Sequence, residues 1–480
     1  MCVLRKYYHH TKIIATIGPS TESPEMIEQM ILSGVDLIRF NMAHATPEWV
    51  KERVQRVREA SAKTRRQVAV MMDVKGPEIR TASVEEPITL VEGETFEFLI
   101  EGAHSSSQNK AVSVNYPDLP GDVEIGKEIL VDSGLIRLKV VEKYDDRVVC
   151  IVSIGGTLGA KRHINLPGVV VKLPALTAKD EMDLTAGAAA GMDFVAMSFV
   201  RKASDIQKMR DFLKSVGSKA RVIAKIEDQA GVRNLESIIK ATDGVMVARG
   251  DLGIEIPFQE LPLVQREIVD GCRKEGKPVI IATHLLESMI ESPIPTRAEI
   301  SDVSNAVREQ ADAVMLSGET TTGKYPLESI QVLNQIIETL EPTIPNQINK
   351  DIILSKPKSK MLRSATYLAQ ELGDESGIVV FTRSGFLGYV LGALRARGVR
   401  IFAFTDVEVI FRQLLFPWGV EPFLMKFSDH DPEATIQDAL SELKSKNWVS
   451  EGATLVVITN VLTGDNVIID SLQLRTVEGS

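Results

Sequence analysis

Residues 222–255 read VIAKIEDQAGVRNLESIIKATDGVMVARGDLGIE. Two short β-branched runs, 222–227 and 244–248, flank a stretch of helical period, the pattern of one βαβ unit. Side chains alternate along a strand, so Lys225 and Glu227 fall on one face. A parallel neighbour lies alongside, and Asp251 at its end emerges close to both. Two carboxylates with spare water positions suit Mg²⁺, which keeps waters and takes substrate oxygens as further ligands. The lysine supplies a point charge for a phosphate or a developing enolate. A ladder of surface ion pairs at strand ends is the plainer alternative.

Outward from this unit the alternation repeats. Upstream lie TKIIATI (11–17), VDLIRF (35–40) and VAVMMD (68–73); around it lie FVAMSF (194–199), PVIIAT (278–283) and AVMLS (313–317). Helical stretches separate them, with starts expected at Ser23-Pro24, at residues 47–63, at Thr177 with Glu181, and at Tyr325-Pro326. The rhythm breaks between residues 79 and 173, where β-prone runs alternate with Gly, Asp and Pro turns. This is an inserted all-β domain, read as a small barrel. Three strands before it and five after make a TIM (β/α)8 barrel interrupted after strand 3. Polar residues cluster where the strands stop: Arg39, Asn41, Asp73, Lys75, Ser198, Lys225, Glu227, Asp251, Thr283, Ser317 and Glu319. In such a barrel those ends form the active face, which weighs against the ion-pair ladder. Residues 342–357 (PTIPNQINKDIILSKP) read as a linker. Beyond it IVVFT, VRIFAFT and TLVVIT alternate with helices as a C-terminal α/β domain. The expected division is barrel 1–77, inserted lid 78–174, barrel 175–345 and C-terminal regulatory or assembly domain 346–480.

The chain has 480 residues, 44% hydrophobic and 25% charged, the composition of an ordinary globular protein of two or three domains. A net charge of −10 argues against a general nucleic-acid binder. Cys2, Cys150 and Cys272 are too few and scattered for a disulfide framework or a zinc cluster. The basic N-terminus lacks the apolar run of a signal peptide, and no stretch approaches a membrane span, so the cytoplasm is expected.

Nine motifs occur in order: IATIGPS, IRFNMAH, DVKGPEIRT, INLPG, KIED, VMVARGDLG, IATHLLESMI, PTRAEISDVSNAV and MLSGETTTGKYP. Together they resemble pyruvate kinase, strongly over the barrel and less over the C-terminal domain. The resemblance implies transfer of the phosphoryl group of phosphoenolpyruvate to ADP, giving pyruvate and ATP. It implies Glu227 and Asp251 as ligands of Mg²⁺ (or Mn²⁺), and Lys225 against the transferring phosphoryl group and enolate oxygen. Arg39 would pair the same phosphate, where a guanidinium fork fits better than an ammonium. Gly250 and Asp251 open a helix whose N–H groups would hold the substrate carboxylate. Thr283 would assist the proton transfer that turns enolate into ketone, through a water relay because a threonine is a poor acid. Ser198 and Ser317 would support the substrate site, or be ordinary buried hydroxyls. Nucleotide would meet Arg80, Asn41 and His44 under the lid. His44 and His163 also read as structural. A homotetramer is likewise implied by the family alone.

The chain departs from the family in several places. A potassium site would use Asn41, Asp73 and the Val74 carbonyl, but Ala43 replaces a serine ligand and Val74 a threonine. Glu78 is the residue type that accompanies potassium dependence, and it needs a cation to offset its charge. Weak potassium activation is therefore expected. His284 stands where Gln is usual and reads as a neutral replacement. Lys172 occupies a usually acidic position near the lid hinge. The C-terminal loop from Thr382 to Gly385 continues as Phe386-Leu387-Gly388 in place of hydroxyl residues, and residues 462–465 replace a Gly-rich loop. Both argue against bisphosphate activation and leave a monophosphate effector, or none, open. Two rival readings, a Mg²⁺-dependent pyruvate-enolate lyase or aldolase and a non-catalytic regulatory homologue, explain the lid or the intact Lys225, Glu227, Asp251, Thr283 and Arg39 less well.

Overall fold

The barrel strands are short apolar runs of four to six residues, buried on both faces almost throughout, as parallel strands between a core and a helical jacket must be. They are β1 (Lys12–Thr16), β2 (Leu37–Asn41), β3 (Ala69–Val74), β4 (Phe194–Met197), β5 (Arg221–Ile226), β6 (Gly244–Ala248), β7 (Val279–Ala282) and β8 (Ala313–Leu316). In the computed structural model each pairs in parallel with its neighbours, and β8 closes on β1, with Ile13 opposite Val314. Residues 9–43, 45–105, 109–345, 347–373, 376–428, 431–462 and 468–478 are described.

Helix starts follow the sequence signals. Ser23 caps Pro24–Leu32 by accepting the Met26 N–H, and Thr46 caps Pro47–Thr64. Thr177 opens Ala178–Ala190, but its reciprocal partner is Asp180 and not Glu181, because N3 is the position that reaches back to the cap.

The insertion after β3 forms a six-stranded sheet and a separate two-stranded ribbon over their own apolar core. The sheet order is Ile164–Asn165, Glu128–Val131, Ile136–Lys143, Arg147–Ile154, Thr95–Ile100, Lys110–Val114, a ladder with two ends. The C-terminal sheet holds five strands, in the order Val420–Leu424, Arg400–Thr405, Gly377–Phe381, Thr454–Leu462, Ile468–Thr476. Two of these, the first and the last, were not among the strands expected from sequence, although Val467-Ile468-Ile469 after Gly464-Asp465-Asn466 is a turn-bounded β-branched run. Residues 342–357 are more than a tether. Ile348 and Ile352 are buried in the C-terminal core, and Asn349 donates to the Arg273 and Ala393 carbonyls at 2.9 and 3.1 Å.

The C-terminal domain closes the bottom of the barrel. Leu415 and Phe416 sit in the apolar cluster made by Ile14, Met71, Phe194, Ile223 and Met246, with the Phe194 and Phe416 rings edge to face at 5.4 Å. Polar residues at the strand starts grip the same domain. Lys12 donates to the Val420 carbonyl at 2.9 Å, and Arg221 donates to Gln413 Oε1 and the Ser384 carbonyl at 3.0 and 2.9 Å. Asp312, just before β8, receives both arms of Arg395.

Candidate active site

Lys225 and Glu227 share one side of the β5 end, with Nζ 2.8 Å from Oε1. Asp73, at the end of β3, lies 3.1 Å from the same ammonium, and Ser198 Oγ accepts from it at 2.7 Å. Arg39 at the end of β2 reaches across to Asp73 Oδ2 at 2.7 and 2.8 Å and donates to Thr16 Oγ1 at 3.1 Å. Six groups from five strands or their ends thus form one hydrogen-bonded cluster, all nine-tenths or more buried. Burial by itself would strip Lys225 of its proton, but Asp73 and Glu227 overrule it and hold the ammonium well above its usual range. Burial also opposes the Asp73 charge, yet Lys225 and Arg39 keep that carboxylate below its usual range.

Glu227 is under the opposite strain. Burial, with Asp251 adding like charge, pushes its carboxyl up to about 7 despite the Lys225 ammonium. Its second oxygen, Oε2, accepts the Phe199 N–H at 2.7 Å, and Phe199 adopts φ +52° to present it. That donor has no signature in sequence. Asp251, in the helix Arg249–Glu255, is half-buried, and its carboxylate takes no hydrogen bond or ion pair among the described residues. One buried carboxylate short of positive charge beside one unpartnered carboxylate is a donor set that fits a divalent cation.

Thr283 follows β7 at φ +66°, a left-handed conformation that a β-branched residue rarely adopts. The strain is held by three contacts. Its hydroxyl donates to the Ala282 carbonyl at 2.6 Å and accepts the Gly250 N–H at 2.7 Å, while Arg249 donates to its carbonyl at 2.8 Å. The Gly250 N–H is therefore engaged by Thr283 in this state. His284 is exposed, with Nδ1 3.8 Å from Glu287 Oε2. Ser317 Oγ is buried with no hydrogen-bond partner among the described residues.

The residues assigned to a monovalent ion are differently occupied. Asn41 Oδ1 accepts the Ala43 N–H at 3.1 Å, and the Val74 carbonyl accepts the Ser198 hydroxyl at 2.7 Å. Glu78 does not lack a counter-charge: Arg80 Nε and Lys75 Nζ lie 2.6 and 3.2 Å from its Oε2. The charge argument for potassium thus fails, since two side chains close by in sequence already offset Glu78. Arg80 also donates to the Lys161 carbonyl at 2.7 Å, which places it at the base of the lid. His44 lies outside the described residues, as do residues 463–465 of the C-terminal loop. In the other effector loop the Gly385 N–H donates to Thr382 Oγ1 at 3.0 Å, and Arg383 pairs with Asp406.

One titrating contact went unread in the sequence. Asn165 of the lid donates to Glu255 Oε1 at 2.9 Å, and its own Oδ1 is buried without a partner among the described residues. Burial, with Asp228 and Asp251 adding to it, pushes the Glu255 carboxyl up to about 7. An acid raised on folding costs nothing while protonated in both states. The penalty grows as pH climbs from the unfolded value, ~4.3, through the folded one. Glu255→Gln should therefore leave stability unchanged near pH ~4 and raise it by on the order of 3 kcal/mol above pH ~8. Urea unfolding at the two pH values measures this, and an equal change at both would refute the assignment.

A closed eight-stranded barrel with a lid after its third strand, an acid pair and a buried lysine at the strand ends defines a metal-assisted phosphotransferase of the enolate class. Two family profiles match the chain, "Pyruvate kinase, barrel domain" over residues 8–330 and "Pyruvate kinase, alpha/beta domain" over residues 359–472. Plastidial pyruvate kinase 2 of Arabidopsis thaliana is 42% identical over 93% of this chain and 77% of its own. The pyruvate kinase of Geobacillus stearothermophilus is 39% identical over 94% and 77%. A crystal structure of a pyruvate kinase from Cryptosporidium parvum superposes with a TM-score of 0.90 at 33% identity, covering 97% of this chain and 96% of that one. The chain belongs to the pyruvate kinase family. It is an enzyme that transfers the phosphoryl group of phosphoenolpyruvate to ADP, in glycolysis, and the lyase and non-catalytic alternatives lose their footing.

Proposed function

We propose that Lys225, Arg39 and Thr283 carry out the transfer, with Glu227 and Asp251 as ligands of Mg²⁺ or Mn²⁺. The observation that carries this reading is the Lys225 ammonium, kept charged in a buried site by Asp73 and Glu227. A divalent ion on Glu227 and Asp251 would supply positive charge to substrate oxygens and relieve the raised Glu227 carboxyl. Lys225 then faces the phosphoryl group and the enolate oxygen with a charge that costs no reorganisation. Arg39, aimed by its fork on Asp73, binds the phosphate. Thr283 orders a water for protonation of the enolate carbon, and the Gly250 N–H exchanges the Thr283 hydroxyl for the substrate carboxylate. Ser198 holds Lys225 in line. Arg80 and Asn41, with His44, meet ADP as residues 78–174 close over the barrel of residues 1–77 and 175–345, and the site is kept dry.

Asn41, Asp73 and Val74 offer a monovalent ion only oxygens already engaged, and Ala43 offers no side-chain oxygen. No step is assigned to K⁺. The test is pyruvate formation from phosphoenolpyruvate and ADP with Mg²⁺, titrating K⁺ against tetramethylammonium. Turnover that barely responds to K⁺ is expected. A steep K⁺ requirement would overturn the reading of the monovalent site, and no turnover in any salt would overturn the catalytic one.

Residues 346–480 are proposed to serve regulation and assembly in a cytoplasmic homotetramer. Phe258, Leu263 and Ile294, exposed at 84, 69 and 71% on the segments after β6 and β7, are apolar side chains open to a second copy. A monomer by light scattering would exclude the assembly. No described helix is long and apolar enough to cross a membrane, and the plastidial location in the relatives' names is theirs.

A further inference from the structure

Beyond the catalytic residues lies a cavity of about 430 Å³ beside the lid hinge. Its charged lining is Lys172, Arg201, Lys202, Lys208, Arg233 and Asp205. Five cations face one acid, in a chain whose net charge is −10. The acid is already engaged, since Asp205 Oδ2 accepts the N–H groups of Arg201 and Lys202 at 3.1 and 3.2 Å.

The cations divide into two sets. Arg201 and Lys172 hold the hinge itself. The Arg201 guanidinium donates to the carbonyls of Val171 and Leu173 at 3.0 and 2.7 Å, strapping residues 171–173 to the loop after β4. Lys172 pairs with Asp122 of the lid at 2.6 Å, and its N–H donates to the Tyr116 hydroxyl at 2.8 Å. A lysine at this usually acidic position thus ties the hinge to the lid body and removes a negative charge from the cavity wall. Lys202, Lys208 and Arg233 form the other set. All three are exposed on the barrel side; Lys202 and Lys208 make no side-chain ion pair among the described residues, and Arg233 has a 3.5 Å contact to Gln229 and lies within the electrostatic reach of Asp228 and Glu255. Like charges gathered around a concave surface raise the local concentration of anions.

We propose that this hinge cavity binds a phosphate monoester, its tetrahedral dianion held by Lys202, Lys208 and Arg233. A bare phosphate would leave much of the space empty. Val170, Leu173 and Ala230 line the remainder and suit the apolar faces of a small organic body. A ligand there bridges hinge residues 170–173 to the barrel helices Ala203–Ser215 and Gln229–Arg233, and so sets the angle at which the lid rests. The site shares no residue with the catalytic cluster and stands or falls separately from it.

The probe is inorganic phosphate, read by backbone hydrogen exchange on the full chain with and without it. Slower exchange in residues 170–175 and 202–208 is expected, weakening as salt is raised. In a Lys202→Glu/Lys208→Glu variant the apparent phosphate affinity at these segments should fall by about tenfold or more, while Mg²⁺-dependent turnover without phosphate is unchanged. Arg233→Gln should give a smaller loss in the same direction. Protection confined to the ends of β2 and β5 would show phosphate only in the active site and overturn the proposal. Equal protection in wild type and double variant would overturn it as well.

Discussion

Lys225→Met should lower kcat by on the order of a thousandfold or more, with the fold and divalent-ion binding preserved. The stem of Met follows that of Lys through the same buried path. Asp73 keeps its fork from Arg39 at 2.7 and 2.8 Å, and Glu227 keeps the Phe199 N–H at 2.7 Å. The cluster therefore loses the charge proposed to meet the transferring group and the ion-pair partner of Asp73 Oδ1 and Glu227 Oε1, while each carboxylate keeps the other partner named above. Raised KM with unchanged kcat would mean the lysine only binds substrate. Steady-state kinetics with Mn²⁺ titration calorimetry separates these outcomes, and ordinary turnover would remove Lys225 from the chemistry.

Asp312→Ala should destabilise the chain by about 3–5 kcal/mol, measured by denaturant unfolding. Arg395 is 1% exposed and has both arms on Asp312, at 2.9 and 2.5 Å. Asp312 also accepts the N–H groups of Trp418 at 3.0 Å and Val279 at 2.9 Å, so one carboxylate joins β7, β8 and the C-terminal domain. Removing it strands a guanidinium where water cannot reach. Asp312→Leu combined with Arg395→Met removes both charges and should cost less than Asp312→Ala alone, because no buried charge remains uncompensated. A double variant as unstable as the single would locate the loss in the two N–H groups instead.

What could be read along the chain and what could not differ in kind. Period and turn chemistry are local, so eight strands, their ends and the insertion after Val74 were all visible in the one-dimensional pattern. The pairing of Lys225 with Glu227 was equally visible, because it needs only the alternation of a single strand. Asp73, Arg39 and Ser198 were placed at strand ends, but their convergence on one ammonium needed the barrel to close.

Other features had no local signal at all. The Glu78 charge was expected to seek an ion, yet side chains at 75 and 80 reach it first once the chain turns into the lid. Leu415 and Phe416 look like ordinary apolar residues between two helices; only the docking of two domains makes them the floor of the barrel. Asn165 and Glu255 stand 90 residues apart, and their contact arises from the fold-back of the lid. The sequence by itself determined the alternating elements, the insertion point and the carboxylates and lysine gathered at the strand ends, because those follow from strand period and residue chemistry. Tertiary structure alone decided which charges neutralise one another, since electrostatic partnership depends on distance through space and on burial, and neither is written along the chain.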